Sequence, residues 1–267
     1  MKITTWNINS VRLRLSSLAR LIVEISPDII CLQETKVRDE LFPVKDIGAL
    51  GYPYQAISGM KGYNGVAILS KWPLIKIKTK VWCKKADCRH VFATINKKGV
   101  RPIEIHNFYV PAGGDIPDPK KNIKFAHKLQ FLEEVAEWQE SREKNSSAQV
   151  LVGDLNVAPL PTDVWSHKQL LKVVSHTPVE IAALKKLQLA GSWVDAVREI
   201  IPPEEPLFTW WSYRSKDYKK NNRGRRLDHI WTTNALKTYI SAIDVFNATR
   251  GWEKPSDHVP ITITLAV

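Results

Sequence analysis

Cysteine is scarce in this sequence, and its placement is uninformative as a staple. Cys31, Cys83 and Cys88 are odd in number and match no zinc-site spacing, so a reducing compartment is the simple inference. Long apolar runs are missing too. The longest are of strand length, which argues against a transmembrane span. The opening residues Met1-Lys2-Ile3-Thr4-Thr5 do not read as a signal peptide. There is no internal repeat and no low-complexity linker. What remains is a chain of 267 residues, long enough to bury a sizeable core unaided. Its formal net charge is +12 and its pI about 9.5. That balance favours a polyanionic partner, because each neutralised phosphate releases counterions; an anionic membrane surface is the competing reading.

Short β-like runs alternate with helical patterns from end to end. Ile3–Trp6, Ile29–Leu32, Val66–Leu69, Ile103–Phe108, Val150–Val152, Leu227–Trp231 and Pro260–Leu265 read as strands. Val11, Leu15, Leu18, Ile22 and Ile25 recur at helical spacing behind Ser10, a candidate N-cap. Phe125, Leu129, Leu132, Val135 and Trp138 do so behind Asp118-Pro119. Thr177-Pro178-Val179-Glu180 is a capping box with proline at the first helical position, opening a helix through Leu189. Several strands have no helix between them, so part of the sheet structure is expected to be antiparallel. One α/β domain over residues 1–267, built on two packed sheets, fits better than a single doubly wound sheet.

The polar residues at the strand tips carry the chemistry. The first strand ends in Asn7-Ile8-Asn9, the second in Gln33-Glu34-Thr35, and the Val150 strand in Gly153-Asp154-Leu155-Asn156. Asp228-His229 lies in a further strand, and Asp257-His258 precedes the last. In a layered domain such tips can converge on one rim. Phosphodiester hydrolysis needs a cation at the phosphate oxygens, and Mg2+ takes oxygen ligands with only one or two protein carboxylates. Glu34 is the candidate ligand and Asp154 the candidate base for water. Asn7, Asn156, Tyr109 and His258 can stabilise the transition state, with Asp228 orienting a protonated His258. Taken singly, each has a plain structural reading: Glu34 as a surface or cap residue, Gly153–Asn156 as a turn, Ser256–His258 as a capped loop, Asp228 as half of a buried pair.

Together, Trp6–Asn9, Leu32–Lys36, Asn64–Ser70, Tyr109–Pro111, Gly153–Pro159, Arg226–Asp228 and Pro255–Pro260 resemble the motifs of the exonuclease III / abasic-site endonuclease family. The resemblance implies a four-layer α/β sandwich, two packed mixed sheets flanked by helices as in deoxyribonuclease I. It also implies Mg2+-dependent (or Mn2+-dependent) repair of double-stranded DNA: incision at abasic sites, 3′→5′ exonuclease action and removal of blocked 3′ ends. By motif match Glu34 looks like the metal ligand with Asn7 beside it, Asp154 the residue activating water or the leaving group, and Asn156 and Asn7 the phosphate holders. Tyr109 would sit near the phosphate, Asp228 and His258 would pair, and Asp257 would be an alternative metal carboxylate. Asp154 and Asn156 complete the possible metal set.

The same resemblance places Arg12, at the start of the first helix, and Gly62-Tyr63 on the DNA backbone. Arg214, Lys216, Lys219, Lys220, Arg223, Arg225 and Arg226, with Tyr213 and Tyr218, form a basic, aromatic loop suited to phosphates and grooves. Trp210, from Thr209-Trp210-Trp211, and Leu227 would wall the pocket for an extrahelical sugar. His176, Arg225 and Ala112 depart from the family's usual residues around that pocket, and His176 with Arg225 is expected to narrow it in favour of 3′ ends. A monomer in the cytoplasm, associated with the nucleoid when acting on DNA, is the default. The competing readings are a superfamily phosphoesterase acting on phospholipid or inositol phosphate, and a non-catalytic DNA-binding module.

Overall fold

A computed structural model describes residues 1–142, 147–214 and 217–267. In chain order the elements are β1 (Lys2–Asn7), α1 (Leu15–Ile25), β2 (Ile29–Gln33), α2 (Val44–Ala49), β3 (Tyr54–Ser58), β4 (Val66–Ser70), β5 (Leu74–Thr79), β6 (His90–Ile95) and β7 (Ile103–Tyr109). They continue with α3 (Ile123–Ser141), β8 (Ala148–Asp154), α4 (His167–Leu170), α5 (Pro178–Ala190), β9 (Val194–Asp195) and α6 (Tyr218–Asn221). The last are β10 (Asp228–Thr232), α7 (Asn234–Lys237), β11 (Ile240–Val245) and β12 (Ile261–Leu265).

Two six-stranded sheets form, in the orders β11-β12-β1-β2-β4-β3 and β5-β6-β7-β8-β10-β9. Each is mixed: β1–β2 and β7–β8 run parallel, and their other neighbours antiparallel. Alternation in the strands explains the layering. Ile29 and Cys31 of β2, with Val150 and Val152 of β8, face the core between the sheets. Ile30 and Leu32 face the other way, under Leu18, Leu21 and Ile25 of α1. Leu151, with Phe108 and Trp231, meets Phe131, Leu132 and Val135 of α3 and Leu184 and Leu187 of α5. Strands covered on both faces read as continuous apolar runs, which is why β2, β4 and β8 were visible in the sequence. The layers stack as helix, sheet, sheet, helix.

Helix starts differ from the sequence reading in two places. Helix α1 begins at Leu15 behind Arg14, not behind Ser10. The amides of Ser10 and Val11 bond the carbonyls of Glu34 and Thr35, so that backbone is committed to the tip of β2. Arg12 therefore lies in the exposed turn before the helix. Helix α3 is capped by Asn122, whose side chain accepts from the Lys124 amide; Asp118 closes the turn before it. Strands β3, β5, β6, β9 and β11 were not read. Most of β5 is exposed and β9 is two residues long, so neither carries a buried alternation.

The capping box at Thr177 forms as read. Thr177 accepts from the Glu180 amide, and the Glu180 carboxylate accepts from the Thr177 amide. Thr177→Ala is expected to cost about 1 kcal/mol, measured as a lower urea midpoint at unchanged slope. No helix among the described residues is long and apolar enough to cross a membrane.

Candidate active site

The two sheets share one strand pattern. Aligning their orders sets β2 against β7, β1 against β8, and β12 against β10. The side chains at the matched tips bond one another across the interface. Tyr109, at the end of β7, donates to Glu34 Oε1 just past β2 (2.9 Å). Asn7 at the end of β1 donates through Nδ2 to Asp154 Oδ2 at the end of β8 (2.9 Å). His258 before β12 pairs through Nδ1 with Asp228 Oδ2 at the start of β10 (2.8 Å). The strand-tip residues picked from the sequence are thus one connected group.

Local backbone sets their angles. Glu34 and Asn156 both stand in the left-handed region, with φ of 51° and 53°. Gly153 has φ 141°, and a Cβ there would lie 1.9 Å from the Phe108 carbonyl oxygen; only glycine lets β8 run this close to β7. Asp154 Oδ1 accepts from the Asn156 amide (3.0 Å), and Asn156 Nδ2 is held by the Val110 carbonyl (2.9 Å). Asn7 Nδ2 also reaches Glu34 Oε1 (2.9 Å).

The electrostatics separate the ionisable groups. Burial raises the Asp154 carboxyl to about 7; Asp228 and Glu34 push it the same way, while His258 and the Asn7 hydrogen bond oppose them. Burial would lower His258, but the charges of Asp228 and Asp154 outweigh it and carry the imidazole up to about 10. Its Nε2 faces Asp154 Oδ2 at 3.6 Å. Burial would raise Glu34, yet hydrogen bonds from Asn7 and Lys36 and the Lys36 charge leave it below the ordinary carboxylate value. Burial, and then Glu34, lifts Tyr109 far above the ordinary phenol value, so it stays a donor.

Sequence reasoning gave no role to the residues that steady this group. Lys36 Nζ lies 2.8 Å from Glu34 Oε2 and donates to Asn9 Oδ1 (2.5 Å). Asn9 in turn donates to Asp257 Oδ1 (3.0 Å) and the Tyr213 hydroxyl (3.2 Å). Thr209 Oγ1 donates to Asp228 Oδ2 (2.6 Å) while accepting the amides of Leu227 and Asp228. Lys36 and Asn9 are each two residues beyond a tip residue already chosen, which was the available signal.

A cavity of about 780 Å³ opens at this group. Its wall includes Glu34, Tyr109, Asp154, Asn156, Asp257 and His258, together with Trp210, Arg223, Arg225 and Leu227. Trp210 Nε1 donates to Asp257 Oδ2 (2.9 Å). The Arg225 guanidinium lies over Trp210 (5.2 Å) and bonds the Val174 carbonyl and Ser175 Oγ; Arg223 lies over Trp165 (4.7 Å). Trp211 is buried beside Phe208 and Tyr218 instead.

Some expected contacts are corrected. His176 does not line the cavity: it is fully buried and bonds the Ala158 carbonyl and His167, so of the two only Arg225 lines the space. Arg226 is no loop charge, because it is fully buried against Asp195 and Asp163. Lys216 lies outside the described residues. Arg12, Gly62, Tyr63 and Tyr213 are exposed and outside the cavity wall; Tyr63 is 59% accessible.

Asp154, Asp228 and His258 bring ligand atoms within 4.8 Å of one another. A protonated imidazole has no lone pair for a metal, so the oxygen-bearing Glu34 side fits a hard cation better. There Lys36 already sets a positive charge against Glu34 Oε2.

The profile of the Endonuclease/Exonuclease/phosphatase family matches residues 4–258. Exodeoxyribonuclease III of Haemophilus influenzae is 32% identical over 98% of both chains. This chain belongs to that family. Among solved structures, an AP endonuclease from Archaeoglobus fulgidus superposes with a TM-score of 0.90 at 36% identity over all of both chains. The 3′ phosphatase NExo from Neisseria, bound to a product DNA hairpin, gives 0.89 at 30% identity over 99% of both. The four-layer sandwich and the exonuclease III / AP endonuclease kinship implied by the motifs are both found.

Proposed function

We propose that this protein is a Mg2+-dependent DNA repair nuclease, with 3′→5′ exonuclease, 3′-end processing and AP endonuclease action on double-stranded DNA. It works as a monomer through a single catalytic domain spanning residues 1–267. The observation that carries the reading is the set of cross-sheet hydrogen bonds, which gathers three carboxylates, a charged imidazole and a phenol beside a cavity also lined by Arg223 and Arg225. Relatives named for each of these activities support it.

Glu34 would hold Mg2+ with Asn7 beside it, and Asp257, Asp154 and Asn156 within the same wall. When bound, the ion would neutralise charge on the phosphate and the leaving oxygen. Asp154, poised near neutrality, accepts the proton of the attacking water. His258, kept protonated by Asp228, donates to a phosphoryl oxygen as charge builds there. Asn7 fixes Asp154 and Glu34 relative to each other, and Tyr109, whose single proton goes to Glu34, holds that carboxylate in place beside the phosphate. Arg223 and Arg225 bring positive charge to the substrate side, and Trp210 and Leu227 supply apolar surface for a sugar. Tyr213, Tyr63, Gly62 and Arg12 extend the backbone contacts over the outer surface.

The test is cleavage of three duplexes with and without Mg2+: one with an internal abasic site, one with a recessed 3′ end and one with a 3′ phosphate. Metal-dependent cleavage of at least one is expected. No cleavage of any would overturn the reading.

A further inference from the structure

Lys128, in the second turn of α3, has no solvent exposure, and neither does its partner Glu180. Burying an ammonium costs several kcal/mol unless its protons are all met. Here they are: Nζ donates to the carbonyls of Asn156 (2.7 Å) and Ala112 (3.3 Å) and to Glu180 Oε1. Asn156 and Ala112 line the cavity, and Glu180, behind it, holds Ser175, which lines it too. Asn156 ends the turn that begins with Asp154 and sits in left-handed backbone. Ala112 follows the segment from Tyr109, in which the Val110 carbonyl accepts from Asn156 Nδ2. Glu180 takes the Ser175 and Thr177 amides, beside the Val174 carbonyl and Ser175 hydroxyl that seat Arg225. Room for the lysine stem depends on Gly113, where a Cβ would stand 2.9 Å from Lys128 Cδ. A methionine would fill the same volume, so packing alone does not call for a cation here.

We propose that Lys128 is a positioning residue for phosphodiester hydrolysis, joining the Asn156 turn, the Ala112 segment and the Glu180–Ser175 cap so that Asn156 and Asp154 keep their orientation. The proposal rests on the hydrolytic reading above. Lys128 touches no solvent and therefore no DNA, so its effect falls on kcat rather than on KM.

Two variants test this. Lys128→Met removes the ammonium and strands a buried Glu180 charge. The double variant Lys128→Met/Glu180→Gln removes both charges, while the glutamine carbonyl still accepts the Ser175 and Thr177 amides. Replacing both members of a buried pair is often nearly neutral for stability, so the double variant should recover most of the Tm lost by the single one. Its kcat should nonetheless stay down by about tenfold or more with KM little changed, because a small misplacement of catalytic groups is costly. Recovery of kcat together with Tm would mean a merely structural pair and overturn the proposal. Should the double variant not fold, Lys128→Met assayed where its circular dichroism is native decides: kcat within about twofold of wild type overturns the proposal, and a larger kcat loss at unchanged KM supports it. Failure of the wild type to cut any duplex would overturn the hydrolytic reading and this proposal with it.

Discussion

Asp154→Asn is expected to lower kcat by between about a hundredfold and ten-thousandfold while leaving DNA affinity within about threefold. The carboxylate is 1% exposed and has one oxygen on the Asn156 amide and the other on Asn7 Nδ2. Asparagine has the same shape, and its carbonyl can keep the Asn156 bond, so the turn should survive. What is lost is a proton acceptor tuned upward by burial, together with the Asn7 bond, because the new NH2 faces the Asn7 Nδ2 donor. Single-turnover cleavage set beside fluorescence-anisotropy binding separates the effects. Equal losses in rate and binding would remove Asp154 from the proton-transfer role. Binding with no cleavage in the wild type as well would instead favour a non-catalytic module.

The second large effect belongs to His258. Its imidazole is carried to about 10 and Asp154 to about 7, so their titrations bracket a window. With the base ionised above its value and the acid charged below its own, the rate should climb through neutrality, level off, and fall as the pH nears 10. The apparent values belong to the coupled group. His258→Asn should cost about a hundredfold to a thousandfold in kcat and abolish the alkaline fall. It also removes the cation that lowers Asp154, so the acidic limb should move to higher pH. A profile whose acidic limb stays in place would break the assigned coupling. Asp228→Asn should instead retain both limbs and draw the alkaline one to lower pH, since the largest influence raising His258 is gone.

Much of the fold was legible because the central strands are buried on both faces and the strand tips are polar. Strands β1, β2, β4, β7, β8, β10 and β12 were all read, at least in part, from apolar runs. Of the missed strands, β3, β5, β9 and β11 lie at sheet edges, where exposed or short segments leave little pattern, whereas β6 is largely buried and its alternating Val91, Ala93 and Ile95 went unread. The site was legible as a list of tips; its geometry was not. Nothing in the spacing told that Glu34 meets Tyr109 or that Asn7 meets Asp154, because those bonds cross between sheets far apart in the chain. Lys128 was hidden for a related reason. A lysine at helical spacing reads as a solvated face, and its burial depends on carbonyls supplied by two distant turns. His176 was misplaced because its neighbourhood is set by His167 and the Ala158 carbonyl, which a linear comparison does not show.

Two sheets stacked through aliphatic side chains have one soft motion, sliding past each other, since apolar contact is non-directional. Here that motion is pinned. Asn107 on β7 donates to the carbonyls of Leu32 and Ala67 in the other sheet, and Gln33 donates to its Oδ1 (2.6 Å). With the tip bonds, these act as dowels between two plates. A slip of one residue, roughly 3.3 Å, would part all of them at once. The rim loops hold one another through separate bonds, Trp210 to Asp257 and Asn9 to Tyr213 among them, while the buried pins keep the plates aligned. A protein built this way can alter what it grips without disturbing where it cuts.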